Sequence, residues 1–185
     1  MTTITEKKGF TTQDITYIGL FTVLIAICSW ISIPTTVPFT LQTLGVFLTI
    51  GLLGGKRGTI SIIIYIVLGA VGLPLFAGFS GGVGIIMGNT GGYILGFLFT
   101  GLIMWAIEKL FGNSYLTLAV SMVIGLIVCY AVGTLWFITV YTQNTGSIGV
   151  ISVLGLCVFP FIMPDLIKII VALYLTKRLK KVIKL

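Results

Sequence analysis

Asp165 and Lys168 lie three residues apart in the apolar stretch Pro164-Asp165-Leu166-Ile167-Lys168. On a helix that spacing puts a carboxylate acceptor and an ammonium donor on one face. In hydrocarbon each such charge costs about 2.5–3.5 kcal/mol to insert. Mutual neutralisation, with Lys168 snorkelling toward the basic tail, explains why each partner tolerates the other. It does not explain why an apolar helix carries either. An acceptor beside a donor in an apolar cavity is suited to capturing a small molecule. Pro164, just before the pair, fits the first turn of a helical stretch or a kink within a longer one.

Other polar residues can complete such a site. Thr40 and Gln42 open one apolar segment, and Asn89, Thr90, Gly91, Gly92 and Tyr93 lead into another. Glycines at a helix start let a ligand approach backbone N–H groups that have no partner within the helix. Cys28, Cys129 and Cys157 sit in apolar runs, with no CxxC and no histidine in the chain. They read as small buried hydrophobes, so no metal and no cofactor is expected. Trp30, Trp105 and Trp136 suit an interfacial belt or packing.

The elements that must position these residues are membrane spans. Of 185 residues 57% are hydrophobic and only 8% charged, against about 25% charged in an ordinary soluble domain. So few charges cannot coat a globule, and lipid must be the outer solvent. Apolar runs at 15–33, 41–53, 59–73, 90–107, 115–141 and 148–175 predict an all-α integral membrane protein, a bundle of six transmembrane helices. Pro34, Pro74 and the Gly54-Gly55-Lys56-Arg57-Gly58 segment mark breaks between them. The 24 glycines suit close helix packing in lipid.

Charge placement orients the bundle. Lys7 and Lys8, Lys56 and Arg57, Lys109, and the tail from Lys177 onward all fall on one side of a six-span arrangement. The opposite loops, 34–40, 74–89 and 142–149, contain no lysine or arginine. Basic residues are retained on the cytoplasmic side, so both termini are expected there. The expected organisation is a single membrane domain over 1–185, with a cytoplasmic segment 1–14 and a basic cytoplasmic tail 177–185. The net charge of +7 then reflects orientation and contact with anionic lipid rather than nucleic acid. Lys168 is the basic residue that orientation does not explain.

Three segments carry a family resemblance. Pro38-Phe39-Thr40-Leu41-Gln42-Thr43-Leu44-Gly45-Val46 followed by Gly54-Gly55-Lys56-Arg57-Gly58, then Gly88-Asn89-Thr90-Gly91-Gly92-Tyr93-Ile94-Leu95-Gly96-Phe97, then Pro164 to Lys168, resemble in order the signatures of BioY proteins. These are the biotin-binding substrate components (S components) of energy-coupling factor (ECF) transporters. The resemblance spans nearly the whole chain. It implies a multi-pass plasma-membrane protein that captures biotin from outside, with a coupling transmembrane subunit and two cytoplasmic ATPases as partners. The chain itself has no GxxxxGK[ST] phosphate loop. The family usually has proline where this chain has Asn89; asparagine could hydrogen-bond a ureido group.

Under that reading Asp165 accepts a ureido N–H, while Lys168 donates to the ureido carbonyl and neutralises Asp165. Tyr93 flanks the rings or donates its hydroxyl, and Gln42 and Thr40 cover the site or reach the valerate chain. Gly19, Thr22 and Ala26 form a small-residue stripe on the first span. In S components such a stripe resembles the docking face for the coupling subunit; ordinary packing within the bundle is the other reading.

Other classes fit less well. With no histidine and only Glu6, Asp14, Glu108 and Asp165 as acids, the chain lacks the groups a membrane enzyme of this size would use. An ion-coupled transporter could use an intramembrane carboxylate as a proton relay, yet inverted-repeat transporters carry paired breaks. The Pro164-Asp165 break has no counterpart in span three. An S component for another vitamin is the remaining alternative, against which the three motifs weigh.

Overall fold

A computed structural model of the chain describes residues 10–35 and 37–181. Lys7, Lys8 and Lys184 lie outside the described residues, as do parts of the expected terminal segments. In chain order the elements are α1 (Thr12–Trp30), the short strands β1 (Ser32–Ile33) and β2 (Phe39–Thr40), α2 (Gln42–Val71), a single 3-10 turn (Ala77–Phe79), α3 (Val83–Met87), α4 (Gly91–Phe111), α5 (Tyr115–Thr145), α6 (Val150–Cys157) and α7 (Phe159–Leu179). Among the described residues, five helical stretches are long and apolar enough to cross a membrane: α1, α2, α4, α5 and the run Val150–Leu179.

The second of these is two helices. Gly54 adopts φ 78° and ψ 168°, a conformation open to glycine because it has no β-carbon. Gln42 Nε2 donates to the Tyr65 hydroxyl at 2.8 Å across 23 residues, which a straight helix would separate by about 34 Å. A β-carbon on Gly58 would meet Ile50 Cα at 2.7 Å. The chain therefore reverses at Gly54 into two antiparallel arms, so the fold has five or six candidate membrane helices, depending on whether the arms are counted separately. The expected segments 41–53 and 59–73 correspond to these arms, but the turn between them is tighter than expected. One glycine makes the reversal, and Lys56 and Arg57 already belong to the second arm.

Glu108 of α4 holds that reversal. Its carboxylate accepts from the Gly55 N–H, one of the donors a helix start leaves without an internal partner. It also accepts from Asn113 Nδ2 at 3.2 Å, and Asn113 Oδ1 accepts from Lys180 Nζ at 3.4 Å. The α2 reversal, the α4–α5 turn and the end of α7 thus meet at one end of the bundle. Asp14 joins them through a 2.7 Å ion pair with Arg57. It also forms a capping box with Thr11 at the start of α1.

The core runs between α2, α4, α5 and α7, where Val46, Ile62, Tyr65, Met104, Met122 and Ala172 are fully buried. Small residues let the helices close. A β-carbon on Gly96 would meet Cys129 Sγ at 2.9 Å, and one on Gly125 would meet the Thr100 side chain at 2.7 Å.

Helix α1 packs on α2 by the same device, as the packing alternative for the small-residue stripe expects of Thr22 and Ala26. Thr22 Oγ1 reaches the Ser61 carbonyl at 3.2 Å, and Ser61 Oγ donates to the Ile18 carbonyl at 3.2 Å. Thr22 and Ala26 are buried against the bundle. Of the stripe, Gly19 alone is exposed, with no atom within 4 Å of where a β-carbon would stand.

Candidate functional site

The opposite end of the bundle holds a cavity of about 250 Å³. Its wall comes from the β1–β2 loop, the start of α2, the segment between α2 and α4, and helices α4 to α7. Residues far apart in sequence meet there because both arms of α2 and the long helices α4, α5 and α7 pack side by side.

Asp165 and Lys168 face the cavity and are buried, at 2% and 6% exposure. Asp165 Oδ1 accepts from Lys168 Nζ at 2.7 Å and from Thr43 Oγ1 at 2.9 Å. Its Oδ2 accepts from the Tyr130 hydroxyl at 2.6 Å. Lys168 Nζ also donates to the Thr40 carbonyl at 2.7 Å and sits 4.5 Å from the centre of the Phe39 ring. The pair is therefore not a bare ion pair. Hydrogen bonds from three other elements hold it, as a buried charge pair requires.

A carboxylate offers about four acceptor sites and an ammonium three donors. Three acceptor sites on Asp165 are in use, and two of the Lys168 donors have oxygen partners. One acceptor and one N–H remain, three residues apart on one helical face. That is the complement of a group presenting an N–H beside a carbonyl.

The rest of the wall is mainly apolar. Phe76, Ile94, Phe97 and Phe161 line the interior, and Phe39 backs Phe161 with ring centres 5.6 Å apart. Register in the small hairpin, Ser32 opposite Thr40 and Ile33 opposite Phe39, fixes the strand that brings Phe39 and the Thr40 carbonyl over Lys168.

Of the expected residues, Asp165, Lys168, Tyr93, Gln42 and Thr40 line the cavity. Thr40 presents its backbone carbonyl to Lys168. Gln42 spends its amide on Tyr65, and the Tyr93 hydroxyl lies 3.3 Å from Thr134 Oγ1.

Asn89, Gly91 and Gly92 are not among the lining residues. A β-carbon on Gly91 would overlap the Ile86 carbonyl, and one on Gly92 would overlap Trp136. The backbone they leave open is filled by the protein. Their neighbour Thr90 faces the cavity instead.

Sequence reasoning missed Tyr130 and Thr43, which both bond Asp165. A hydroxyl deep in an apolar span was the available signal for Tyr130, since such a group needs a partner. Phe161 carried none that separates it from ordinary core.

A family model described as the BioY family matches residues 2–185. The chain is 40% identical over 164 residues to a biotin transporter BioY of Thermotoga maritima, covering 88% of this chain and 93% of that one. It is 37% identical over 169 residues to a probable biotin transporter BioY of Pyrococcus horikoshii, covering 91% and 96%. Among solved structures it resembles the S-component for biotin from an ECF-type ABC transporter, with a TM-score of 0.81 at 28% identity over 94% of this chain and 95% of the other.

Proposed function

The chain belongs to the BioY family, and from that premise we propose that it captures biotin and serves its uptake as the S component of an ATP-driven ECF transporter. It is a transport component rather than an enzyme. The observation that carries the reading is the unspent acceptor and donor of the Asp165–Lys168 pair. Biotin's ureido edge offers an N–H beside a carbonyl, and its bicyclic body suits a wall of Phe161, Phe76, Ile94 and Phe97. Asp165 takes the N–H and Lys168 donates to the carbonyl. Tyr130 and Thr43 hold the carboxylate, while Tyr93, Gln42, Thr40 and Thr90 complete the wall. A ligand that leaves these buried groups unpaired is rejected more strongly than apolar contact alone could manage.

The chain is one membrane domain of the plasma membrane with both termini in the cytoplasm. The described basic residues other than Lys168 are consistent with this, since the α2 reversal, the α4–α5 turn and the end of α7 meet at one end. The cavity at the other end then faces outward. A coupling transmembrane subunit and two cytoplasmic ATPases supply the energy. Titration of the detergent-solubilised protein with biotin, thiamine and riboflavin tests the reading. Saturable binding of biotin alone is expected, and binding of either other vitamin in its place would refute it.

A further inference from the structure

Among the described residues, the cavity wall carries one cation, Lys168, and one anion, Asp165. The two are 2.7 Å apart, so the wall has no net positive charge. The ammonium also donates to the Thr40 carbonyl, which leaves it a single N–H, the one assigned to the ureido carbonyl. The other polar wall groups are neutral. Ser80 Oγ donates to the Ala77 carbonyl at 2.8 Å, Gln42 bonds Tyr65, and Thr90 offers a hydroxyl. An ionised carboxylate drawn fully into this cavity would add an uncompensated negative charge to a balanced pair, which a low-dielectric site penalises.

We infer that the site reads the ureido head and the rings and does not read the charge of the ligand's acid tail, so that biotins with a neutral, small carboxyl substituent (the primary amide and the methyl ester) are ligands of the same class as biotin. The inference rests on the reading of the cavity as a biotin site. It assigns the tail either to the water-facing mouth or to the neutral groups Ser80 and Thr90, where an amide or ester serves as well as an acid. Discrimination falls instead at the head. Replacing the ureido carbonyl by an imino group, as in 2-iminobiotin, gives a guanidine that is protonated at neutral pH; it sets N–H donors and a positive charge against Lys168 and leaves the free lysine N–H unpaired.

The test is competition of biotin, biotin amide, biotin methyl ester and 2-iminobiotin against radiolabelled biotin on the purified full-length chain. Amide and ester should compete within about threefold of biotin, and 2-iminobiotin should be weaker by about a hundredfold. If amide and ester are the hundredfold-weaker ligands while biotin binds, the tail charge is recognised and the inference falls with the biotin reading intact. If biotin itself fails to bind, both fall.

Lys168→Met supplies a second arm. A lysine that serves the head loses biotin and the amide in the same proportion. A loss confined to biotin would place the lysine on the tail and overturn the inference. Should the variant fail to fold, the wild-type series decides alone.

Discussion

Tyr130 of α5 donates its hydroxyl to Asp165 Oδ2 of α7 at 2.6 Å, on the carboxylate oxygen that Lys168 does not touch. The two contacts pull on opposite oxygens and fix the plane of the carboxylate, which decides where its remaining lone pair points. A hydrogen bond to a charged group contributes about 1.5–3 kcal/mol. Tyr130→Phe keeps the ring and removes this bond. Biotin affinity should fall about tenfold or more, with the fold retained. Calorimetric titration reads the effect, and an unchanged Kd would show that Thr43 and Lys168 suffice to orient Asp165.

The pair predicts an asymmetry between single and double replacement. Removing one member of a buried, hydrogen-bonded ion pair leaves the other uncompensated, at a cost of about 3–5 kcal/mol, whereas replacing both is much milder. Asp165→Asn and Lys168→Met should each lower the thermal unfolding midpoint in detergent, and the double variant should recover much of the loss. Biotin binding should be weakened in all three. Recovery of binding along with stability in the double variant would remove the pair from the site.

How far this was legible from sequence depends on how unusual each residue is in its setting. A carboxylate and an ammonium in an apolar run are costly wherever they lie, so Asp165 and Lys168 announce themselves. Tyr130 is amphipathic and common in membrane helices, and its partner is 35 residues away, so only the packing of α5 on α7 identifies it. Glycines mark close approach without naming what approaches. Gly91 and Gly92 read as openings for a ligand, yet Ile86 and Trp136 fill them. The same ambiguity covers Thr22 and Ala26, a small-residue stripe that suits docking or packing alike, and both are buried where α1 meets α2. The helical segments themselves were legible because breaks and basic residues punctuate them. The single-residue reversal at Gly54 was not, since Lys56 and Arg57 resemble loop whether they precede a helix or begin it.

Glu108 gives a prediction away from the site. Its carboxylate accepts from the Gly55 N–H and from Asn113, so it caps the second arm of α2 and ties that arm to the α4–α5 turn. Losing an N-terminal cap costs about 0.5–2 kcal/mol. Glu108→Ala should lower the unfolding midpoint while biotin affinity stays at the wild-type value, because the cavity lies at the other end of the bundle. Parallel measurement of both quantities checks this. A matched loss of affinity would mean that the α2 reversal and the site are coupled through the helix pair.

Phe39 gives the last prediction, which concerns rate rather than affinity alone. The β1–β2 loop reaches the site through three contacts: the Thr40 carbonyl on Lys168, the Phe39 ring against the same ammonium, and the Phe39–Phe161 stack. Two of the three belong to one side chain. A cation–π contact contributes about 0.5–2 kcal/mol, more when desolvated, and an aromatic pair about 0.5–1.5 kcal/mol beyond its buried area. Phe39→Leu keeps an apolar side chain beside Phe161 but removes both. Because the Thr40 carbonyl remains, the loop still docks, but less firmly. Changes at an interface act mostly on dissociation, so biotin should leave about tenfold faster while its association rate changes little. Stopped-flow chase of labelled biotin separates the two rates. Equal acceleration of entry and exit would make Phe39 a gate on passage; faster exit alone would make it part of the grip on bound ligand.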